Sequence, residues 1–103
     1  MKLTSEKIKI MLYEGKYYKL KIPFIFDFEF NDKDNIYIAT CNEINEFVYA
    51  RSIKEVYKEI YHIIGLMYFE YGLYDSTKLS KDANQLKKIM IDHCGKKLEQ
   101  INV

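Results

Sequence analysis

From Tyr18 to Phe30 an apolar side chain stands at every second position: Tyr18, Leu20, Ile22, Phe24, Phe26, Phe28 and Phe30. Lys19, Lys21, Asp27 and Glu29 fill places between them. Successive side chains of a strand point to opposite faces, so this alternation predicts one buried and one largely wet face. A helix would scatter the same residues around its circumference. From Tyr17 to Phe30 the run would reach about 45 Å if straight, at about 3.3 Å per residue. A chain of 103 residues has too little to lay over so long a straight ribbon. Pro23 stands in its middle and has no N–H to give to a ladder. A bend or a change of partner is therefore expected there. The part before Pro23 would pair with the preceding strand and the part after it with the next.

The covering element is read from Ser52 to Gly72. Ser52 followed by Glu55 is a capping box, in which the hydroxyl takes the N–H at Glu55. Ile53, Val56, Tyr57, Ile60, Tyr61, Ile64, Met67 and Tyr68 then recur at helical spacing. Gly72 is a natural stop. Ile63, Leu66, Phe69 and Tyr71 lie off this stripe yet are apolar, so the second half of the helix needs a cover on another side too. The C-terminal segment or a second subunit would supply it.

The remaining elements follow from punctuation. Residues 1–6 read as a frayed start. Ile8, Ile10 and Leu12 alternate with Lys7, Lys9 and Met11, which predicts a strand with Met11 on its wet side. Glu14-Gly15-Lys16 is a turn. Asn31–Asp34 is a hairpin tip. Asn35–Cys41 is a strand with Ile36 and Ile38 on one face and Tyr37, Ala39 and Cys41 on the other. Glu46–Ala50 is a short strand that runs into the Ser52 cap. Leu73–Leu79 reads as a linker. Ser80 caps a second helix from Lys81 to about His93, with Ala83, Leu86, Ile89 and Met90 on its apolar side and Gly95 ending it. The tail Lys96–Val103 is frayed or a short edge strand. The expected fold is α+β, one domain over 1–103. A curved antiparallel sheet of about four strands would carry the main helix on it and a second C-terminal helix.

Composition narrows the function classes. The net charge is +1 and Arg51 is the sole arginine. Reading of base edges and bidentate clamping of phosphates favour arginine, so DNA binding by this chain alone is not expected. The apolar run of the main helix is too short for a membrane span and carries Lys58, Glu59, His62 and Glu70. Cys41 and Cys94 are the only cysteines, and MKLTSEKIKI has no signal-peptide apolar stretch. Two thiols in that setting read as reduced and cytoplasmic.

No constellation carries chemistry by spacing alone. Asp27, Glu29, Asp32 and Asp34 gather at one hairpin, but Ile36 falls where a calcium loop needs an oxygen ligand. They read as a solvated strand face and turn. His62 reads as an exposed helix residue, and His93 as a cation near a helix end. Pairing of Cys41 with His93 or His62 would give a cysteine nucleophile, with no orienting third group in view. No catalytic residue, metal site or cofactor is expected. Tyr17, Tyr37 and Tyr49 would offer single-stranded RNA a stacking face if they shared one.

The segment IPFIFDFEFNDKDNIYIATCNEINEFVYARSIKEVYKEI resembles the HicB-like antitoxin domain over about residues 20–71. Ile36–Cys41 is similar to its second strand, of the type YxAxC. Glu43-Ile44 stands where that family has a Pro-Glu-Leu turn, and Ser52-Ile53-Lys54-Glu55-Val56 where it has Thr-x-Glu-Glu-Ala. Asn45 and Ala50-Arg51 replace family glycines, and the N-terminal hairpin is extra. No C-terminal DNA-binding helix-turn-helix or ribbon-helix-helix is evident. The resemblance implies a non-enzymatic protein-interaction module, similar to the toxin-neutralising half of such an antitoxin, with a small basic toxin-like protein as partner. Ile63, Leu66, Phe69, Tyr37 and Tyr49 are the expected interface residues. The uncovered helix side and open strand edges point to a homodimer. A small RNA-binding protein and a cryptic hydrolase using Cys41 or the Asp27–Glu29 carboxylates are the alternatives.

Overall fold

The computed structural model describes residues 1–72 and 79–102. Four strands follow one another in sheet order: β1 (Lys2–Tyr13), β2 (Lys16–Asn31), β3 (Ile36–Cys41) and β4 (Glu46–Ala50), all antiparallel. Helix α1 (Ile53–Met67) continues as one π-helical turn, Tyr68–Gly72. Helix α2 (Lys81–Cys94) and a three-residue strand β5 (Glu99–Ile101) complete the chain. The expected α+β architecture is the one found. Residues 73–78 of the expected linker, and Val103, lie outside the described residues.

Each hairpin is closed by residues that tolerate the left-handed backbone. Tyr13 pairs with Lys16, and the two residues between them, Glu14 and Gly15, have φ of 49° and 76°. Two consecutive positive φ angles make the turn whose twist suits a tight hairpin. Asn35 and Asn45, with φ of 55° and 52°, close the next two. Asparagine enters this region at lower cost than most residues.

The β1–β2 ladder is interrupted around Pro23, and the change of partner is on the other edge of β2. β1 pairs with both halves, Ile10 to Tyr13 with Lys16 to Lys19 and Lys2 to Ile8 with Phe24 to Glu29. Between Ile8 and Ile10 the register shifts, leaving Lys9 opposite the unpaired stretch Leu20–Pro23. Across β2, the first half pairs with β5 and the second with β3. The shift explains two departures from simple alternation. Ile8 is buried on one side of the break and Met11, not Ile10 or Leu12, on the other. An odd slip in one strand turns all its later side chains over. Ile22 lies within the unpaired stretch and is 51% exposed, although its parity matches buried Leu20 and Phe24.

The start of the chain is not frayed. β1 begins at Lys2, and the backbone of Met1 exchanges hydrogen bonds with that of Phe30. The tail likewise forms a strand: Tyr17, Tyr18 and Lys19 pair with Ile101, Gln100 and Glu99.

Both helices lie on the inner face of the sheet. Ser52 Oγ accepts from the Glu55 N–H at 3.2 Å, a cap worth about 1 kcal/mol. From it α1 crosses from β4 to β1, burying Val56, Ile60, Ile64 and Met67 against Phe26, Phe28 and Ala39 in one core. Ser80 Oγ caps α2 in the same way through the Ala83 N–H. α2 covers the interrupted part of β2, burying Met90, His93 and Cys94.

Gly72 does not stop α1 in the expected left-handed conformation. Tyr68 remains right-handed, and the π-helical turn carries the chain to Gly72. Tyr68 is buried, and its hydroxyl donates to the Gly95 carbonyl at 2.9 Å, which ties the turn to the end of α2. The off-stripe residues find their cover within the chain. Phe69 stacks on Tyr13 at 4.0 Å between centroids and meets Tyr18 at 6.0 Å. Ile63, Leu66 and Tyr71 are half-buried. Among the described residues, no helix is long and apolar enough to cross a membrane.

Candidate functional site

The pairing of β3 with β4 sorts their side chains. Ala39 pairs with Val48, and both are buried on the inner face with Cys41. Ile38 pairs with Tyr49 and Thr40 with Phe47, so these four point to the outer face. There the ladder continues onto β2, with Glu29 opposite Ile38 and Asp27 opposite Thr40. Phe47 and Tyr49 are each 61% exposed, with ring centroids 6.5 Å apart and planes 24° from parallel. Ile25, further along the same face, is 46% exposed. No described element lies over this side of the sheet, since both helices pack on the other.

The ladder places Asp27 and Glu29 on this outer face, with Lys7 of β1 beside Ile25. Between Phe24 and Tyr49 the chain has six carboxylates, at Asp27, Glu29, Asp32, Asp34, Glu43 and Glu46, against the single cation Lys33. A chain of net charge +1 thus concentrates its acid in the second half of β2, in β3 and β4 and in their connections. Three of these carboxylates have local work, Glu43 among them, which faces His93 Nε2. Asp27 accepts a hydrogen bond from the Ser5 hydroxyl across the β1–β2 pair. Asp34 accepts from the Asn31 amide at 3.3 Å, while the Asn31 carbonyl oxygen accepts the backbone N–H groups of Lys33 and Asp34. That arrangement folds the hairpin tip and is not a ligand cage. Among the described residues, no three His, Cys, Asp or Glu side chains are gathered to hold a metal ion.

The expected interface residues do not form one surface. Tyr49 stands on the outer sheet face. Tyr37 is on the inner face, where it packs against Phe30 at 4.8 Å between centroids. Ile63, Leu66 and Phe69 belong to the helical layer, with Phe69 held by Tyr13. The stacking face proposed for RNA is divided too. Tyr17 meets Tyr61 of α1 edge-on at 6.2 Å, so Tyr17, Tyr37 and Tyr49 cannot stack one strand of bases together. Phe47 is the outer-face residue that sequence reading left out. The signal was present: Phe47 and Tyr49 flank Val48 at period two, and burial of Val48 alone turns both outward.

His93 stands in the last turn of α2, near the helix end as expected, and is buried there. It is 6% exposed, its ring is stacked on Phe24 at 3.8 Å and 10°, and both ring nitrogens are occupied. Nδ1 lies 2.9 Å from the Ile22 carbonyl, and Nε2 lies 2.9 Å from Glu43 Oε2. A carbonyl can only accept, so Nδ1 carries the hydrogen in that pair. The ring is thus held at both nitrogens. It fastens α2 to the interrupted part of β2 and to the β3–β4 turn. His62 is exposed on α1, as expected.

The two thiols sit in surroundings opposite to those of a nucleophile. Burial pushes the Cys41 thiol up, and burial raises that of Cys94 to about 12. Both are free and buried. A reactive cysteine needs exposure and nearby positive charge that favour the thiolate. Neither Cys41 nor Cys94 is therefore expected to react with a neutral disulfide reagent at pH 8 while the chain is folded. Both should react once denaturant is added. Rapid labelling of either in the native state would show that its cover opens readily.

Beside the open edge of β4, a groove of about 580 Å³ runs toward α1 between Ile36, Tyr49, Arg51, Glu55, Lys58 and Glu59. Its charges alternate in sign and converge on no point. The outer face of the sheet, and not a pocket, is the candidate site. No protein-family model, curated protein or solved structure matches this chain.

Proposed function

We propose that this chain is a non-enzymatic protein-interaction module whose outer sheet face binds and masks a small basic protein. The observation that carries the reading is the Phe47–Tyr49 pair, more than half exposed on an uncovered face and set inside the acid-rich part of the chain. Exposed aromatic residues cost solubility unless something covers them, and aromatic side chains are enriched where protein interfaces bind most tightly. Surrounding carboxylates would steer a cationic partner and add little to its grip in the closed complex. The order β2–β3–β4–α1 supports the resemblance to the HicB-like antitoxin domain. So does Asn45, which replaces a family glycine and takes a φ of 52°, in the region that glycine favours. Such a partner would be a small toxin-like protein, met in a reducing compartment such as the cytoplasm, where two buried free thiols are stable.

The test is co-expression with any small basic protein found encoded beside this chain, followed by size-exclusion chromatography. One complex is expected, weakened at least about tenfold by the double substitution Asp27→Lys, Glu29→Lys. Those residues lie on β2, separated from β4 by the whole of β3. Separate elution of the two proteins, or indifference to the charge reversal, would overturn the reading.

A further inference from the structure

The sheet has two long open edges among the described residues, β1 and β4, and they are built differently. β1 carries Lys2, Lys7 and Lys9 and is broken by register shifts near Leu3 and Lys9. Lysines and bulges are the usual means of keeping an edge from pairing with another strand. β4 has neither. Its five residues, Glu46-Phe47-Val48-Tyr49-Ala50, hold continuous register with β3, with no lysine, proline or bulge. An edge left in that state is open to pairing with another strand.

We propose that β4 pairs antiparallel with β4 of a second copy of this chain, about a two-fold axis through Val48, joining the two sheets into one. A two-fold axis perpendicular to the sheet keeps the outer face outer, so a residue can pair only with one of the same parity. Centring on Val48 is the one register that uses all five residues. Val48 then meets Val48, Phe47 meets Tyr49 of the second copy, and Glu46 meets Ala50. Backbone groups match as well, because Phe47 and Tyr49 have the same hydrogen-bonding sense along the strand, as do Glu46, Val48 and Ala50. The outer face gains a row of four aromatic rings, and cross-strand aromatic pairs are among the favourable ones. At each end the Glu46 carboxylate comes beside the end of the other copy that holds Arg51, the sole arginine of the chain. The contact is self-complementary and closed, as a two-fold dimer requires.

The pairing shares its aromatic face with the proposed partner site, and it deepens that reading by placing two such faces side by side. Its test uses the purified chain with no partner present. Sedimentation equilibrium is expected to give twice the 12.4 kDa chain mass. Phe47→Lys with Tyr49→Lys should return the mass to that of one chain with an unchanged circular dichroism spectrum, because both side chains are exposed. Lys7→Ala with Lys9→Ala, on the β1 edge, should leave the dimer intact. Register is read by oxidising a mixture of Phe47→Cys and Tyr49→Cys chains, which should cross-link to each other and not to themselves. A monomeric mass for the native chain, a dimer indifferent to the two lysines on β4, or self-linking as strong as mixed linking would overturn the proposal. A monomer would leave the co-expression test standing, and a missing basic partner would leave the dimer mass standing.

Discussion

Gly65→Ala is expected to destabilise the chain by at least about 2 kcal/mol, although alanine is the better helix former by about 1 kcal/mol. Gly65 is buried in the last turns of α1, where the helix crosses β1. A methyl group placed on it would collide with the carbonyl oxygen of Leu12 and stand 2.9 Å from its carbonyl carbon and 3.3 Å from Tyr13 Cβ. The first two are backbone atoms held in the β1–β2 ladder, where Leu12 pairs with Tyr17. They cannot swing aside as the end of a long side chain would. Either α1 lifts from the hairpin or the ladder breaks there. Lifting would also part Phe69 from Tyr13, now stacked at 4.0 Å. Thermal unfolding followed by circular dichroism should show a fall of roughly 10 °C or more for a domain of this size. A rise in Tm would mean that the helix does not approach the strand so closely, and that propensity alone governs the position.

This close approach marks the limit of what the residue pattern discloses. Periodicity placed α1, because Val56, Ile60, Ile64 and Met67 need only a helix and a nearby apolar face to be buried. It placed the inner face of β2 for the same reason, and Phe24, Phe26 and Phe28 are all within 2% of full burial. Pro23 announced the interruption through its missing N–H. Which strand would slip there was not legible. That depends on how β1 follows both halves of β2, a contact between residues many positions apart. Met11 and Ile22 moved to unexpected sides on that account. Nothing in the residue pattern tells that the backbone of Leu12 lies beneath the glycine of α1.

The candidate site divides in the same way. Tyr49 was legible as an outward residue of a short strand, and Phe47 is implied by the same alternation about Val48. Tyr37 reads on one strand face with Ala39 and Cys41, yet the expected interface groups it with Tyr49. Its strand neighbours Ala39 and Cys41 share its parity and are buried, so it belongs with them inside. That Asp27, Glu29, Phe47 and Tyr49 share one surface is visible only once β2, β3 and β4 are known to be neighbours. The link from His93 to Glu43 spans 50 positions and follows no pattern that spacing could reveal.

That link underlies the largest effect expected of any single side chain. His93→Ala should cost about 3–4 kcal/mol, since it removes a buried ring and the donor to the Ile22 carbonyl together. The residues Leu20–Pro23 have no ladder partner in β1, and across β2 the pairing with β5 ends at Lys19 and that with β3 begins at Asp27. The Ile22 carbonyl is therefore served by His93 Nδ1, at 2.9 Å, in place of a strand. Three substitutions separate the contributions. His93→Phe keeps a ring against Phe24 but leaves the carbonyl without a donor, at about 1–3 kcal/mol. Glu43→Ala removes the other partner, but Glu43 is 48% exposed and water takes its place, so the loss should be about 1 kcal/mol or less. Urea denaturation should rank them His93→Ala, then His93→Phe, then Glu43→Ala. Were His93→Ala no worse than Glu43→Ala, water would be serving the Ile22 carbonyl and the ring would not be what holds this part of β2. In the expected order, the interruption at Pro23 persists because α2 brings a ring N–H to the place where the ladder fails. The sheet can then keep its inner phenylalanines under two helices and leave Phe47 and Tyr49 outside.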